Sequence, residues 1–160
     1  MSYLGISMNL KNFACSQYAG WDFDSMGMFE GQPIGANSSG IFKLDMDSSF
    51  GGTNVTSFLE SHLTDFGIEN IKRPRRVILS GEFDGAIKLT TRCRDEDSSS
   101  IIERAYTVTP RSAYQKSVEI DLKSDTQARY WSFRVDNVDG IDFSIDSIEV
   151  IMIVLGKKVR

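Results

Sequence analysis

The strongest constraint in this chain is a two-residue alternation of apolar and polar side chains, which recurs from about residue 76 to residue 155. Successive side chains of a strand point to opposite faces, so a period of two marks an element with one face in a core. Val77, Leu79 and Phe83 share one phase. Ile87, Leu89, Thr91 and Cys93 then alternate with Lys88, Thr90, Arg92 and Arg94. Asp84-Gly85 stands between these runs, and because both residue types tolerate positive φ the spacing predicts a tight β-hairpin over 76–94. Residues 95–100 read as a polar loop and 101–109 as a strand ending at Pro110. Ser117 to Leu122 alternates again through Val118, Ile120 and Leu122. Arg129 to Asp136 places Trp131, Phe133 and Val135 inward, with Tyr130, Ser132, Arg134 and Asp136 outward, and Asp139-Gly140 supplies the next turn.

The last run changes phase. Phe143 and Ile145 belong to one face, whereas Ile148, Val150, Met152 and Val154 follow the opposite parity. A one-residue slip inverts the faces of a strand, so a bulge or bend is expected near Asp146-Ser147. Beyond it Ile151, Ile153 and Leu155 are apolar too, which predicts a final strand covered on both sides.

Strands every 8–14 residues with turn residues between them, and no sustained 3.6-residue period, define an all-β chain. The expected fold is an antiparallel β-sandwich, jelly-roll-like, preceded by a small N-terminal β-meander. In the meander, Ser25–Phe29, Ile34–Ala36 and Ile41–Asp45 are separated by turns at Glu30-Gly31-Gln32-Pro33 and Asn37-Ser38-Ser39-Gly40, and 45–53 reads as a loose linker. The expected division is a meander with linker over 1–52, packed on the main domain or a partner, and a sandwich over 53–160. A chain of 160 residues, 41% hydrophobic and 25% charged, suits one main core.

Charge and cysteine usage narrow the function. The net charge is −4, and the densest basic cluster, Lys72, Arg73, Arg75 and Arg76, is broken by Pro74 and ringed by acidic residues, so no nucleic-acid partner is expected. Cys15 and Cys93 lack a neighbouring His or Cys, which excludes a zinc ribbon and leaves either a disulfide between them or, as expected here, two reduced, half-buried thiols. The N-terminus carries no basic and apolar run of a secretory signal. The longest apolar stretch, 148–155, is too short to span a bilayer, so no membrane partner is expected.

Three features bear on chemistry. His62, the only histidine, has no nucleophile motif beside it. Asp45 with Asp47, and Asp136, Asp139, Asp142 and Asp146, match turn chemistry better than a cation loop. No phosphate loop or dinucleotide glycine pattern occurs. The reading is therefore no enzyme, with no catalytic, cofactor-binding or metal residues and no cofactor. Two surfaces are candidates for binding. Trp21, Tyr114 and Tyr130 could stack on sugar rings, which would make the chain a carbohydrate-binding β-sandwich module. Ile151, Ile153 and Leu155, with Lys157 and Lys158 in the tail, are candidate interface residues between subunits.

Three stretches together carry a family resemblance: 29–45 (FEGQPIGANSSGIFKLD); Thr64-Asp65-Phe66-Gly67 with Lys72-Arg73 and Arg75-Arg76-Val77; and 129–135 (RYWSFRV) leading to 142–149 (DFSIDSIE). The combination resembles virion proteins of tailed bacteriophages, notably tail-associated β-rich proteins. The resemblance implies a non-enzymatic structural component, assembled in the host cytoplasm and located in the virion. It also implies homo-oligomerisation into a tail or head–tail ring with other virion structural proteins, since a ring needs complementary surfaces around its axis.

Overall fold

The computed structural model describes residues 4–8, 11, 15–19, 22–44, 49–50, 53–54, 56–95, 98–112 and 116–156. The chain divides into two compact units, Met1–Asp47 and Ser48–Arg160. Every regular element among the described residues is a strand, and every strand pairing is antiparallel.

In the first unit β1 (Leu4–Met8) and β2 (Cys15–Ala19) form a hairpin, and β3 (Ser25–Phe29), β4 (Gln32–Asn37) and β5 (Gly40–Lys43) form a three-stranded meander in chain order. Glu30 and Gly31 make the first meander turn alone, with φ of 47° and 79°. This left-handed pair matches the twist of the flanking strands, so Gln32 and Pro33 are freed to begin β4. The second turn follows Asn37, whose Oδ1 accepts the Ser39 N–H at 2.9 Å, the local bond that favours Asn at turns. Gly35 lies under the Phe23 ring, where an added Cβ would come within 2.7 Å of it, and Phe23 packs at 6.0 Å from Phe42.

The second unit opens with a short ladder, β6 (Ser49–Phe50) and β7 (Thr53–Asn54), inside the stretch expected to be a linker. Then come β8 (Phe58–Glu60), β9 (Lys72–Phe83), β10 (Ile87–Arg94), β11 (Ile102–Val108), β12 (Ser117–Asp121), β13 (Tyr130–Asn137) and β14 (Phe143–Val154). They form two sheets, ordered β11-β10-β13-β8 and β12-β9-β14. One continuous core lies between them: Val77, Leu79 and Phe83 of β9 and Val118 and Ile120 of β12 meet Ile87, Leu89, Cys93, Trp131, Phe133 and Val135 of the larger sheet. This is an antiparallel β-sandwich. The inward phase of β13 is the expected one, and Trp131 also donates its Nε1–H to the Ala128 carbonyl at 3.0 Å, so its one polar atom is satisfied inside the core.

The expected 76–94 hairpin is not formed. β9 pairs with β12 and β14, while β10 pairs with β11 and β13, so Asp84-Gly85 carries the chain from one sheet to the other. A two-residue type I′ hairpin needs positive φ at both central residues, and neither Asp84 nor Gly85 has it. Asp139 and Gly140 do have it, at 56° and 77°, and Ile141 N–H closes the turn on the Val138 carbonyl at 3.3 Å. That turn too joins strands of different sheets.

The phase change in the last strand is a bulge. Ile145 faces Gly81 and Ser147 faces Ser80, which leaves Asp146 as the extra residue. Gly81 belongs to this irregularity, because a Cβ there would stand 1.9 Å from the Ser144 carbonyl oxygen. The expectation that β14 is covered on both sides fails. It is an edge strand whose outer face is only partly covered, with Ile151 48% exposed. Cys93, expected half-buried, is fully buried in the core; the Cys15 side chain lies outside the described residues, as do Asp45 and Asp47.

Candidate functional site

The outer face of the larger sheet is polar and ordered by charge. Glu103 of β11, Arg92 of β10, Glu60 of β8, and Arg134 and Asp136 of β13 form an alternating chain of ion pairs. Arg92 donates to Glu60 and, at 3.2 Å, to Glu103; Arg134 donates to Glu60 at 3.3 Å and to Asp136 at 2.6 Å. Arg92 reaches Glu60 over Ser132, which is buried beneath them and opposite Arg92 in the ladder. The guanidinium of Arg134 also lies 3.9 Å from the Phe58 ring centre. These contacts strap the three-residue strand β8 onto the sheet and raise the pKa of both arginines: Arg92 chiefly through its bond to Glu103, Arg134 chiefly through Asp136. No single sequence stretch shows this strap, since the register of β8 against β13 brings its parts together. The outward Arg134 and Asp136, two residues apart, were its one local sign.

Beside the strap is an open groove of about 410 Å³, lined by Glu60, Ser61, His62, Leu63, Arg92, Ile101 and Ser132. The hydroxyls next to His62 are committed to the backbone: Ser132 Oγ donates to the Ser61 carbonyl at 2.8 Å, and Ser61 Oγ accepts the Phe133 N–H at 3.0 Å. His62 itself is exposed and bonds to neither hydroxyl. Two serines pinned by main chain and an unattached imidazole do not form the nucleophile–base pair that acyl transfer needs.

The basic cluster is split by the fold. Lys72 is fully buried and faces the core side of β9, where its ammonium donates to the carbonyls of Ile68 and, at 3.1 Å, Asn70. Desolvation lowers its pKa, and the nearby Asp65 opposes that shift. Asp65 accepts the Gly67 N–H at 3.0 Å and pairs with Arg129 at 3.4 Å, and these hold its carboxyl below the usual range. Together they fix the 65–70 turn, in which Phe66 and Gly67 both have positive φ and the Phe66 ring packs 6.2 Å from Phe133. Arg76 is engaged by Glu119 at 2.6 Å and Asp121 at 2.7 Å. Of the cluster only Arg73 and Arg75 make no ion pair among the described residues, and Arg75 still acts on the Asp121 charge, so the four do not form one continuous basic track.

The remaining candidates are dispersed. Trp21 and Tyr114 lie outside the described residues. Tyr130 is half-buried, with the Arg129 guanidinium 5.2 Å and that of Arg94 5.9 Å from its ring centre. Asp136 belongs to the strap, Asp139 to a turn and Asp146 to the bulge. Among the described residues no three His, Cys, Asp or Glu side chains gather as a metal site would require. Burial raises the Cys93 thiol to about 11, so it is unreactive near neutrality. No helix among the described residues is long and apolar enough to cross a membrane.

What the molecule does display is apolar surface. In the first unit Met26, Met28, Phe29 and Ile41 are 64–75% exposed, and of the described meander residues only Gly35 is buried. In the second, Ile151 and Val154 are about half exposed along β14, with Ile153 and Leu155 partly covered. Lys157 and Lys158 lie outside the described residues. These features define a class, an all-β sandwich with an apolar meander. No family model matches the chain, and no curated protein matches it either.

Proposed function

We propose that this chain is a non-enzymatic structural module that works inside an assembly, as an oligomeric tail or head–tail ring component of a tailed-phage virion. The observation that carries the assembly reading is the meander. A three-stranded sheet that exposes Met26, Met28, Phe29 and Ile41 is the kind of surface that interacting proteins bury. The placement in a phage virion is supported by the resemblance of the three motifs alone. The strap, the 65–70 turn and the core account for the conspicuous charged and aromatic residues as parts of the fold, leaving apolar surface as the feature to be explained.

The test is light scattering on the purified chain across about a hundredfold range of concentration, with mass spectrometry of tailed-phage particles from the same genome. Oligomers in solution and stoichiometric presence in the particle are expected. A strict monomer that is absent from particles overturns the proposal.

A further inference from the structure

The sandwich has four strand edges, and three are blunted. β8 is three residues long and strapped by Glu60; β12 is five long, with Glu119 and Asp121 held by Arg76; β11 carries Glu103 and Arg104. β14 is different. It runs for twelve residues, and from Ile148 to Val154 it has a single charge, Glu149, with neither proline nor glycine. Natural sheets rarely leave such an edge open to water.

The main-chain groups of β14 alternate between β9 and the open edge. On β9 the main-chain groups of Arg75 and Gly81 face the β12 side, since Arg75 O accepts Leu122 N–H and Gly81 N–H reaches Lys116 O, both at 2.9 Å. Alternation then turns Arg76, Ile78 and Ser80 toward β14, where they face Ile151, Glu149 and Ser147. Leu155 N–H likewise points inward, to Ile71 O at 2.8 Å. The ladder has a second register shift between Ile151 and Met152, where Arg75 of β9 is the extra residue, and on both sides of it the odd residues of β14 use their main-chain groups on β9. Those of Ile148, Val150, Met152 and Val154 face the open edge.

We infer that this edge binds a second copy of the chain, with the two β14 strands antiparallel about a twofold axis at Ile151; the inference rests on the assembly reading above. This register sets Val150 against Met152 and Ile148 against Val154, hydrogen-bonding residue against hydrogen-bonding residue, with apolar side chains on the core face. Ile151 meets its own copy in a non-hydrogen-bonded pair. Charge selects the register. Arg73 and Glu149 have no ion-pair partner among the described residues. With the axis at Ile151, Glu149 stands beside Ile153 of the second copy, whose β9 neighbour is Arg73. The two charges are then two strand spacings apart, about 9–10 Å between backbones, within joint reach of the side chains. Symmetry makes the pair twice. An axis at Val150 would bring Glu149 toward Arg76, which Glu119 and Asp121 already occupy.

The test is cross-linking of the full chain in a Cys15→Ser background, with Cys93 left buried. Cα atoms in a non-hydrogen-bonded antiparallel pair are about 4.5 Å apart, within the span of a disulfide. Ile151→Cys is expected to give a disulfide-linked dimer under mild oxidation, while Ile78→Cys, one strand inward on the same face, is not. Arg73→Glu should weaken association about three- to tenfold, and adding Glu149→Arg should restore it. If light scattering finds oligomers but Ile151→Cys does not cross-link, or both cysteine variants cross-link alike, the edge is overturned and the assembly reading stands. A monomer at every concentration removes both.

Discussion

The sandwich and the meander use the same strand grammar with opposite results. In β9 residues Val77, Leu79, Gly81 and Phe83 are buried by a second sheet across the core. In β3 all five residues are exposed, although its two methionines alternate as cleanly as any core pair. Alternation therefore specifies a strand and its two faces, and burial comes only when another layer arrives to cover one of them. In the meander Phe23 is laid over Gly35 and packs on Phe42, while its methionines stay exposed.

Emptying the core should have the largest effect. Trp131→Ala removes a ring that packs at 6.4 Å on Phe133 and bonds to Ala128. It is expected to lower the unfolding free energy of the sandwich by about 3–5 kcal/mol in urea titration. A smaller loss would mean that the two sheets are not a single packed core. Next comes Gly81→Ala, where the new methyl must displace the Ser144 carbonyl and hence the β14 bulge; about 1–3 kcal/mol is expected. Hydrogen exchange should show the loss concentrated in β14. The strap ranks below these: Glu60→Gln loosens two arginines at partly exposed sites, and about 1 kcal/mol is expected at low ionic strength, shrinking with added salt.

Acid should also separate the parts. Asp65 is held down chiefly by the Gly67 N–H, Asp121 by Arg76 and Asp125 by the Thr126 hydroxyl. A carboxyl with a depressed folded-state pKa stabilises the fold above its unfolded value, near pH 4, and that contribution is lost as pH falls through the folded value. Stability of the sandwich should therefore fall below about pH 4, and Asp65→Asn should make the fall shallower. A pH-independent unfolding midpoint between 4 and 2 would contradict the assigned bonds.

Much of the sandwich was legible in the residues: the inward phase of Trp131, Phe133 and Val135, the slip at Asp146, and the strand at 117–121. Strand partners were not. Asp84-Gly85 and Asp139-Gly140 have the same composition, yet one takes left-handed angles and the other does not. Both turns carry the chain between the two sheets, so their angles do not follow from composition, and the partners of the flanking strands are set by pairings such as Leu79 with Val118 that are distant in sequence. The same limit hid the strap, because Glu60 meets Arg92 only through the register of β8 and β13. It also hid Lys72, whose burial follows from the turn carbonyls of Ile68 and Asn70 folding over it. The exposed Ile151 was legible as an apolar residue, but its position on an open edge came from the order of strands.

The smallest effect on stability should come from the meander. Met28 and Ile41 are 69% and 75% exposed, so replacing each by serine removes little buried area and should leave the unfolding free energy of the sandwich within about 0.5 kcal/mol. The same double variant should shift the association measured by light scattering toward smaller species, because the apolar side chains it removes are surface that a partner would cover. If instead Met28→Ser with Ile41→Ser unfolds the chain at its ordinary concentration and leaves association unchanged, these side chains are holding the fold. The contrast between a covered sandwich and an uncovered meander would then be wrong.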